Sequence, residues 1–276
     1  MSYQVLSRKW RPQSFDEVVG QIHITRTLQN AIGMNRVAHS YLFSGPRGVG
    51  KTSTARIFAK ILSCKNSQDK NPCNQCTNCI DITKGSSLDV QELDGASNRG
   101  IDEIRGLREA VKYPPNNSEY RIYIIDEVHM LTREAFNALL KTLEEPPAHI
   151  IFIMATTDAH KLPATILSRT QKFDFKPISV NDISTYLRMI LDNEKITYED
   201  EGIFLIAQKA DGSLRDSLSL LDQVIAYAGE ALNVETVRDV LGIIEENVFL
   251  DIMKFINDKK HQELIALINK LLNDGF

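Results

Sequence analysis

Two periods of apolar and polar residues run along this chain, and the point where one gives way to the other divides it. In roughly the first 175 residues, short apolar runs alternate with longer stretches of helical period. Residues 40–44, 121–125 and 150–155 are nearly unbroken apolar runs, the pattern of parallel strands buried on both faces. Residues 88–93 alternate as a further strand, and 171–175 supply a fifth. Helical spacing covers 22–34, 53–62, 101–111 and 134–143. In the second of these Ala55, Phe58, Ala59 and Leu62 share a face, and Pro146-Pro147 stops the last. Strand alternating with helix predicts an α/β unit with a parallel sheet.

Beyond Lys176-Pro177 the strand signal ends. Helices are predicted over 181–193, 199–210, 213–228 and 234–241, and more helix from 245 to 272. The expected domains are therefore 1–177, an α/β unit; 178–242, a small helical lid; and 243–276, the incomplete start of a third helical domain. The N-terminal arm is less regular. Pro12 disfavours helix there, and Ser14 or Asp16 is placed to cap a short one.

The first strand runs straight into Gly45-Pro46-Arg47-Gly48-Val49-Gly50-Lys51-Thr52, and a helix follows. That is G-x-x-x-x-G-K-[ST] in strand–loop–helix context, a phosphate-binding P-loop. Glycines let the backbone curl so that N–H groups point inward at phosphate oxygens, and the helix N-terminus adds unpaired donors. Lys51 reaches the β- and γ-phosphates, and the Thr52 hydroxyl is a Mg²⁺ ligand.

The third strand ends in Asp126-Glu127, two carboxylates where strand ends line a nucleotide crevice. After a P-loop this pair reads as Walker B: Asp126 suits Mg²⁺, directly or through water, and Glu127 suits a general base for the attacking water. His129 reads as a local structural contact. The fourth strand ends in Thr156-Thr157-Asp158, where a threonine can sense the γ-phosphate or hold the water, or only cap a turn. Arg215 sits in the first turn of a helix, unfavourable for the dipole. A phosphate partner accounts for it, and so does a salt bridge to Asp211 or Asp216. Arg99 and Arg105 either face phosphates or pair with Asp102, Glu103 or Glu109.

All four cysteines fall in one stretch, Cys64-x8-Cys73-x2-Cys76-x2-Cys79. Overlapping C-x2-C pairs with an upstream thiol supply four thiolates to one tetrahedral Zn²⁺, and Asn71-Pro72, Asn74-Gln75 and Thr77-Asn78 are the turn formers a metal knuckle needs. Four protein ligands leave no open position, so the zinc is read as structural, tying down an insertion at about 64–79.

Composition sharpens this picture little. Hydrophobic content of 43% and charged content of 25% are those of a soluble globular protein, and 276 residues bury a sizeable core. No apolar run approaches a membrane span, and Met1-Ser2-Tyr3-Gln4 opens no signal peptide, so a cytoplasmic protein without membrane contact is expected. A net charge of −4 argues against coating nucleic acid over the whole surface, but leaves room for a local basic patch or a DNA site completed by other subunits.

Together these motifs resemble the AAA+ ATPases, and closely the bacterial DNA polymerase III clamp-loader gamma/tau subunits. The residues carrying the resemblance are Arg8-Lys9-Trp10-Arg11-Pro12 with Val18-Val19-Gly20-Gln21, the P-loop, the cysteine insertion, residues 126–131, residues 137–147, Ala155-Thr156-Thr157-Asp158, Ser168-Arg169 and Gly212-Ser213-Leu214-Arg215-Asp216. The resemblance implies a core of a parallel five-stranded sheet flanked by helices, and a hetero-oligomeric five-membered ring that uses ATP to open a sliding clamp, grip primer-template DNA and release the clamp closed on the duplex. Carried over by position, Gly45 to Ser53 look like the phosphate loop and Asp126-Glu127 like Walker B. Thr157 looks like sensor 1, with Thr156 the fallback. Arg215, beside Leu214, looks like the sensor 2 arginine. Arg11, Pro12, Val18 and Val19 would border the adenine. Arg169 looks like an arginine finger acting on a neighbour's ATP, although Thr170 stands where the family often has cysteine. Two other classes share part of this pattern: a different AAA+ DNA or protein remodelling ATPase, which would not predict the zinc insertion, and a non-hydrolysing ring member, which typically has a damaged P-loop.

Overall fold

The computed structural model describes residues 4–98, 100–229, 231–243 and 246–273. Its centre is a five-stranded sheet of β1 (Ser40–Ser44), β2 (Val90–Asp94), β3 (Arg121–Asp126), β4 (Ile150–Thr156) and β5 (Gln171–Asp174). All neighbours are parallel, in the order β2-β3-β4-β1-β5. Alternate residues of each strand feed two separate cores. Tyr41, Phe43, Ile122, Ile124, Ile151 and Ile153 pack on one face. Leu42, Tyr123, Ile125, Phe152 and Met154 pack on the other. Both faces being covered is why these strands read as unbroken apolar runs.

Before the sheet come α1 (Leu6–Lys9), a 3₁₀ turn at Phe15–Glu17 and α2 (Ile22–Gly33). The sheet is flanked by α3 (Lys51–Ser63), α4 (Thr77–Lys84), α5 (Ile101–Ala110), α6 (Arg133–Glu144) and α7 (Ala164–Leu167). A third core holds α8 (Val180–Glu194), α9 (Asp200–Lys209), α10 (Leu214–Ala228) and α11 (Val234–Leu241) together. Leu6 from the start of the chain joins this core. Its N–H donates to Asp222 Oδ2 at 2.9 Å, and Trp10 Nε1 to Glu194 Oε1 at 3.0 Å. The arm is thus tied to the lid before it reaches the sheet. Two further helices, α12 (Glu246–Asn257) and α13 (His261–Asn273), end the described chain. Among the described residues no helix is long and apolar enough to cross a membrane.

Three expectations need correction. The second strand starts at Val90, not Leu88, because the buried Asp89 carboxylate is occupied: it accepts from the N–H groups of Asn116, Asn117 and Ser118 at 2.7, 2.8 and 3.1 Å. The region after Pro177 is not wholly helical. Thr197–Tyr198 (β6) and Ala231–Leu232 (β7) form a short parallel pair that joins the loops before α9 and α11. Helix α1 and helix α4, which carries Cys79, also lie where no helix was expected.

Candidate functional site

The P-loop leaves β1 where the ladder to β4 ends, and Gly45 N–H still donates to Thr156 O at 3.3 Å. A Cβ on Gly45 would lie 2.3 Å from Phe175 O, so the loop passes directly against the chain beyond β5. Gly50 caps α3 without a side-chain hydrogen bond, which leaves that helix N-terminus open toward the loop. Lys51 is buried, and its ammonium donates to Gly45 O at 2.8 Å and Pro46 O at 2.7 Å. Burial lowers its pKa, against the pull of the Glu127 and Asp126 carboxylates. A buried cation held only by neutral carbonyls, beside an uncapped helix start, suits phosphate.

The ends of β1, β3 and β4 meet above this loop. Thr52 Oγ1 donates to Asp126 Oδ2 at 2.7 Å, which puts a hydroxyl and a carboxylate side by side as a Mg²⁺ ion requires. Glu127 follows in a left-handed conformation, with φ 46° and ψ 45°. That turn separates the two acids: Asp126 faces Thr52, and Glu127 faces the end of β4, where Thr157 Oγ1 donates to Glu127 Oε2 at 3.0 Å. Thr156 behaves differently. It is fully buried, accepts from Asp158 N–H at 3.0 Å and lies 3.0 Å from His129 Nδ1. His129 Nδ1 also lies 3.4 Å from Glu127 Oε2.

The lid reaches the same loop. Gly48 O accepts from Leu214 N–H at 3.1 Å and Arg215 N–H at 3.3 Å, the first residues of α10. Among the described residues Arg215 makes no ion pair, so neither Asp211 nor Asp216 accounts for it. Burial lowers the Arg11 pKa, with Arg56, Arg215 and Arg8 acting the same way and Glu92 opposing. Val18 is buried in the sheet core, and Val19 packs on the lid core. In the loop itself Val49 is buried, whereas Pro46 and Arg47 are exposed; in the first turns of α3 Ser53 is half-buried and Ala55 buried.

Arg169 is nowhere near this constellation. It lines a cavity of about 370 Å³ with His39, just before β1, and with Ser40 and Gln171, which start β1 and β5. The P-loop leaves from the other end of β1, about 13 Å along the strand. Arg169 Nη2 donates to Glu144 Oε1 at 2.7 Å and Nη1 to Thr165 O at 2.8 Å. Arg105 is exposed and pairs with Asp102 at 3.3 Å. Arg99 lies outside the described residues.

The four cysteine sulfurs all lie within 4.8 Å of one another, and none forms a disulfide. Cys73–Cys79 and Cys64–Cys76 are each 4.0 Å apart, near the roughly 3.8 Å edge of a tetrahedral zinc tetrathiolate. Hydrogen bonds from the Gln75 and Cys76 N–H groups bring the Cys73 thiol down to about 6, so a thiolate is favoured there. Burial pushes Cys64 and Cys79 up. The residues present fit a closed, structural metal site.

The sheet order, the P-loop with its paired acids and the docked helical lid define the AAA+ class of P-loop proteins. The family model described as DNA polymerase III, delta subunit, matches residues 20–179. That of the DNA polymerase III clamp loader subunit, ATPase lid domain, matches 182–230. DNA polymerase III subunit tau of Bacillus subtilis is 51% identical over 275 residues, covering 100% of this chain and 49% of that protein. The Escherichia coli subunit tau is 46% identical, covering 100% and 43%. Subunit gamma of Buchnera aphidicola subsp. Baizongia pistaciae is 43% identical, covering 99% and 74%. The RuvB Holliday junction branch migration motor of Thermotoga maritima superposes with a TM-score of 0.62 at 18% identity, covering 91% of this chain and 80% of that one, a likeness of fold. The chain belongs to the gamma/tau family of DNA polymerase III clamp-loader subunits. It spans about half the length of the tau relatives.

Several contacts were not legible beforehand. The bonds from α10 to Gly48 O use backbone groups, and those of the arm to the lid join residues far apart in the chain. Only the apolar Leu6 and Trp10 hint at the second.

Proposed function

We propose that this chain is an ATP-hydrolysing motor of a clamp loader, which works in a five-membered ring with other subunits to open a sliding clamp and place it on primer-template DNA during replication. The observation that carries the reading is the pair of hydrogen bonds Thr52–Asp126 and Thr157–Glu127, which gather the ends of β3 and β4 against the start of α3 beside one P-loop. Lys51 and the loop N–H groups from Gly45 to Ser53 hold the phosphates. Thr52 and Asp126 would hold Mg²⁺, which when bound neutralises charge on the phosphate oxygens. Glu127 accepts a proton from the water that attacks the γ-phosphorus, yielding ADP and phosphate, and Thr157 fixes that carboxylate. Arg215 approaches from the lid. Arg11, Pro12, Val18 and Val19 border the base. Arg169, at the far edge of the sheet, serves a neighbour's ATP, and Arg105 is a surface available to DNA. The four cysteines hold a structural zinc.

The test is steady-state ATP hydrolysis by the full-length protein reconstituted with its ring partners, with and without sliding clamp and primed DNA. Strong stimulation that Arg169→Ala abolishes, with ATP binding retained, is the expected result. A rate indifferent to clamp and primed DNA points to another AAA+ machine, and an unaffected Arg169→Ala variant leaves that arginine a structural role only.

A further inference from the structure

The cysteine insertion contributes no side chain to the nucleotide site, yet its turns grip the segment that borders it. Asn71 Oδ1 accepts from Phe15 N–H at 3.2 Å, and Asn71 Nδ2 donates to Asp16 Oδ2 at 2.7 Å. Asn74 Nδ2 donates to Gln13 O at 3.3 Å. Lys60, a buried residue of α3, donates to Gln13 Oε1 at 2.5 Å and to Asn74 Oδ1 at 3.1 Å. Gln13 Nε2 passes the restraint on to Arg11 O at 2.9 Å. Asn71 and Asn74 stand on either side of Cys73, so the cysteine cluster fixes where both amides sit.

The gripped segment has little order of its own. Between Trp10 and Ile22 its one regular element is the 3₁₀ turn at Phe15–Glu17. Its polar backbone groups must therefore find partners elsewhere, and the insertion supplies them for Gln13 O and Phe15 N–H. Lys60 binds the two sides together. Its hydrogen bonds go to neutral amides; burial lowers its pKa, with Arg56 acting the same way and Cys79 and Glu17 opposing. A divalent ion held by four thiolates carries two net negative charges, and Lys60 offsets part of them.

We propose that the four-cysteine knuckle is a clamp for the base-binding arm: by holding Asn71 and Asn74 in place it pins residues 13–16, and so sets the affinity of the site for the nucleoside half of ATP. The inference rests on the reading of Arg11, Pro12, Val18 and Val19 as the border of the base.

The test uses the full-length chain with Asn71→Ala and Asn74→Gly combined; glycine keeps the positive φ of 55° at position 74 free of strain. Zinc content, ATP affinity, affinity for inorganic tripolyphosphate and amide exchange across residues 11–19 are measured. Zinc stays at one per chain, ATP binding weakens about tenfold, tripolyphosphate binding holds, and exchange in the arm accelerates. Asn71→Ala alone, the milder change, weakens ATP binding and accelerates exchange in the arm by less, with zinc and tripolyphosphate binding again unchanged. Unchanged ATP affinity with zinc retained overturns the clamp, and so does an equal loss for ATP and tripolyphosphate, which marks a general loosening. Arg11→Ala separates the two levels. If it weakens ATP binding while the asparagine variants do not, the base reading stands and the clamp falls. If it too leaves ATP affinity unchanged, the base reading fails and takes the clamp with it.

Discussion

Thr157 Oγ1 donates to Glu127 Oε2 at 3.0 Å, joining the residue after β4 to the residue after β3. The bond aims the carboxylate away from Asp126, which is engaged with Thr52 instead. Two adjacent acids thereby have two different partners. Glu127→Gln keeps the shape and removes the proposed base. ATP hydrolysis by the reconstituted ring should fall by about 10²- to 10⁴-fold with ATP binding retained. Thr157→Val should cost about tenfold in kcat with little change in KM, because it loosens the base without removing it. Equal losses of binding and turnover in both variants would place Glu127 in the scaffold instead.

Gly48 has φ +77°, and a Cβ there would lie 1.9 Å from Ser213 Oγ and 3.3 Å from the Arg215 Cβ. Gly48→Ala meets both backbone strain and a collision with the lid, for about 1–3 kcal/mol in stability. Thermal unfolding and ATP affinity should both decline. A substitution that binds ATP normally would show that the lid need not rest on this loop.

Asp89 is buried, and burial alone would raise its pKa. The N–H groups of Asn116 and Asn117, with the hydroxyl and N–H of Ser118, more than offset this and hold it below the ordinary carboxylate value. A depressed carboxylate stabilises the fold above its unfolded pKa of about 3.9, and that stabilisation is lost as pH falls through the folded value. Asp89→Ala leaves three backbone donors stranded and should cost about 3 kcal/mol at neutral pH. In denaturant titrations the gap between wild type and variant should narrow below about pH 4. A gap that does not change with pH would mean the carboxylate charge is not what matters.

Cys73→Ser combined with Cys76→Ser removes two of the four proposed ligands. Metal analysis should find zinc lost, and the melting temperature should drop by roughly 5 °C or more. Undiminished zinc would locate the metal elsewhere in the chain.

The sheet and the lid helices were readable because burial on two faces, or on one stripe, leaves a periodic trace in the sequence. The P-loop, Asp126-Glu127 and the cysteine spacing were readable because each chemistry demands particular residues at close intervals. What escaped notice has a common cause. Asp89 shifts the start of β2 by bonding to a loop almost thirty residues later. The parallel pair of β6 and β7 is only two residues long on each side, too short for any period. The grip of Asn71 on Phe15 and Asp16 joins an amide to groups more than fifty residues away, and asparagine in a knuckle already has a local explanation as a turn former. Arg105 followed the plain helical pairing with Asp102.

The carbonyl of Gly48, which takes the first two N–H groups of α10, has a mechanical consequence. Helix α10 is 15 residues long, about 22 Å of stiff rod whose first turn rests on the P-loop. A rearrangement of a fraction of an ångström at that contact becomes a swing of several ångströms at the far tip. Because α10 shares one core with α8, α9 and α11, such a swing would carry the whole lid with it.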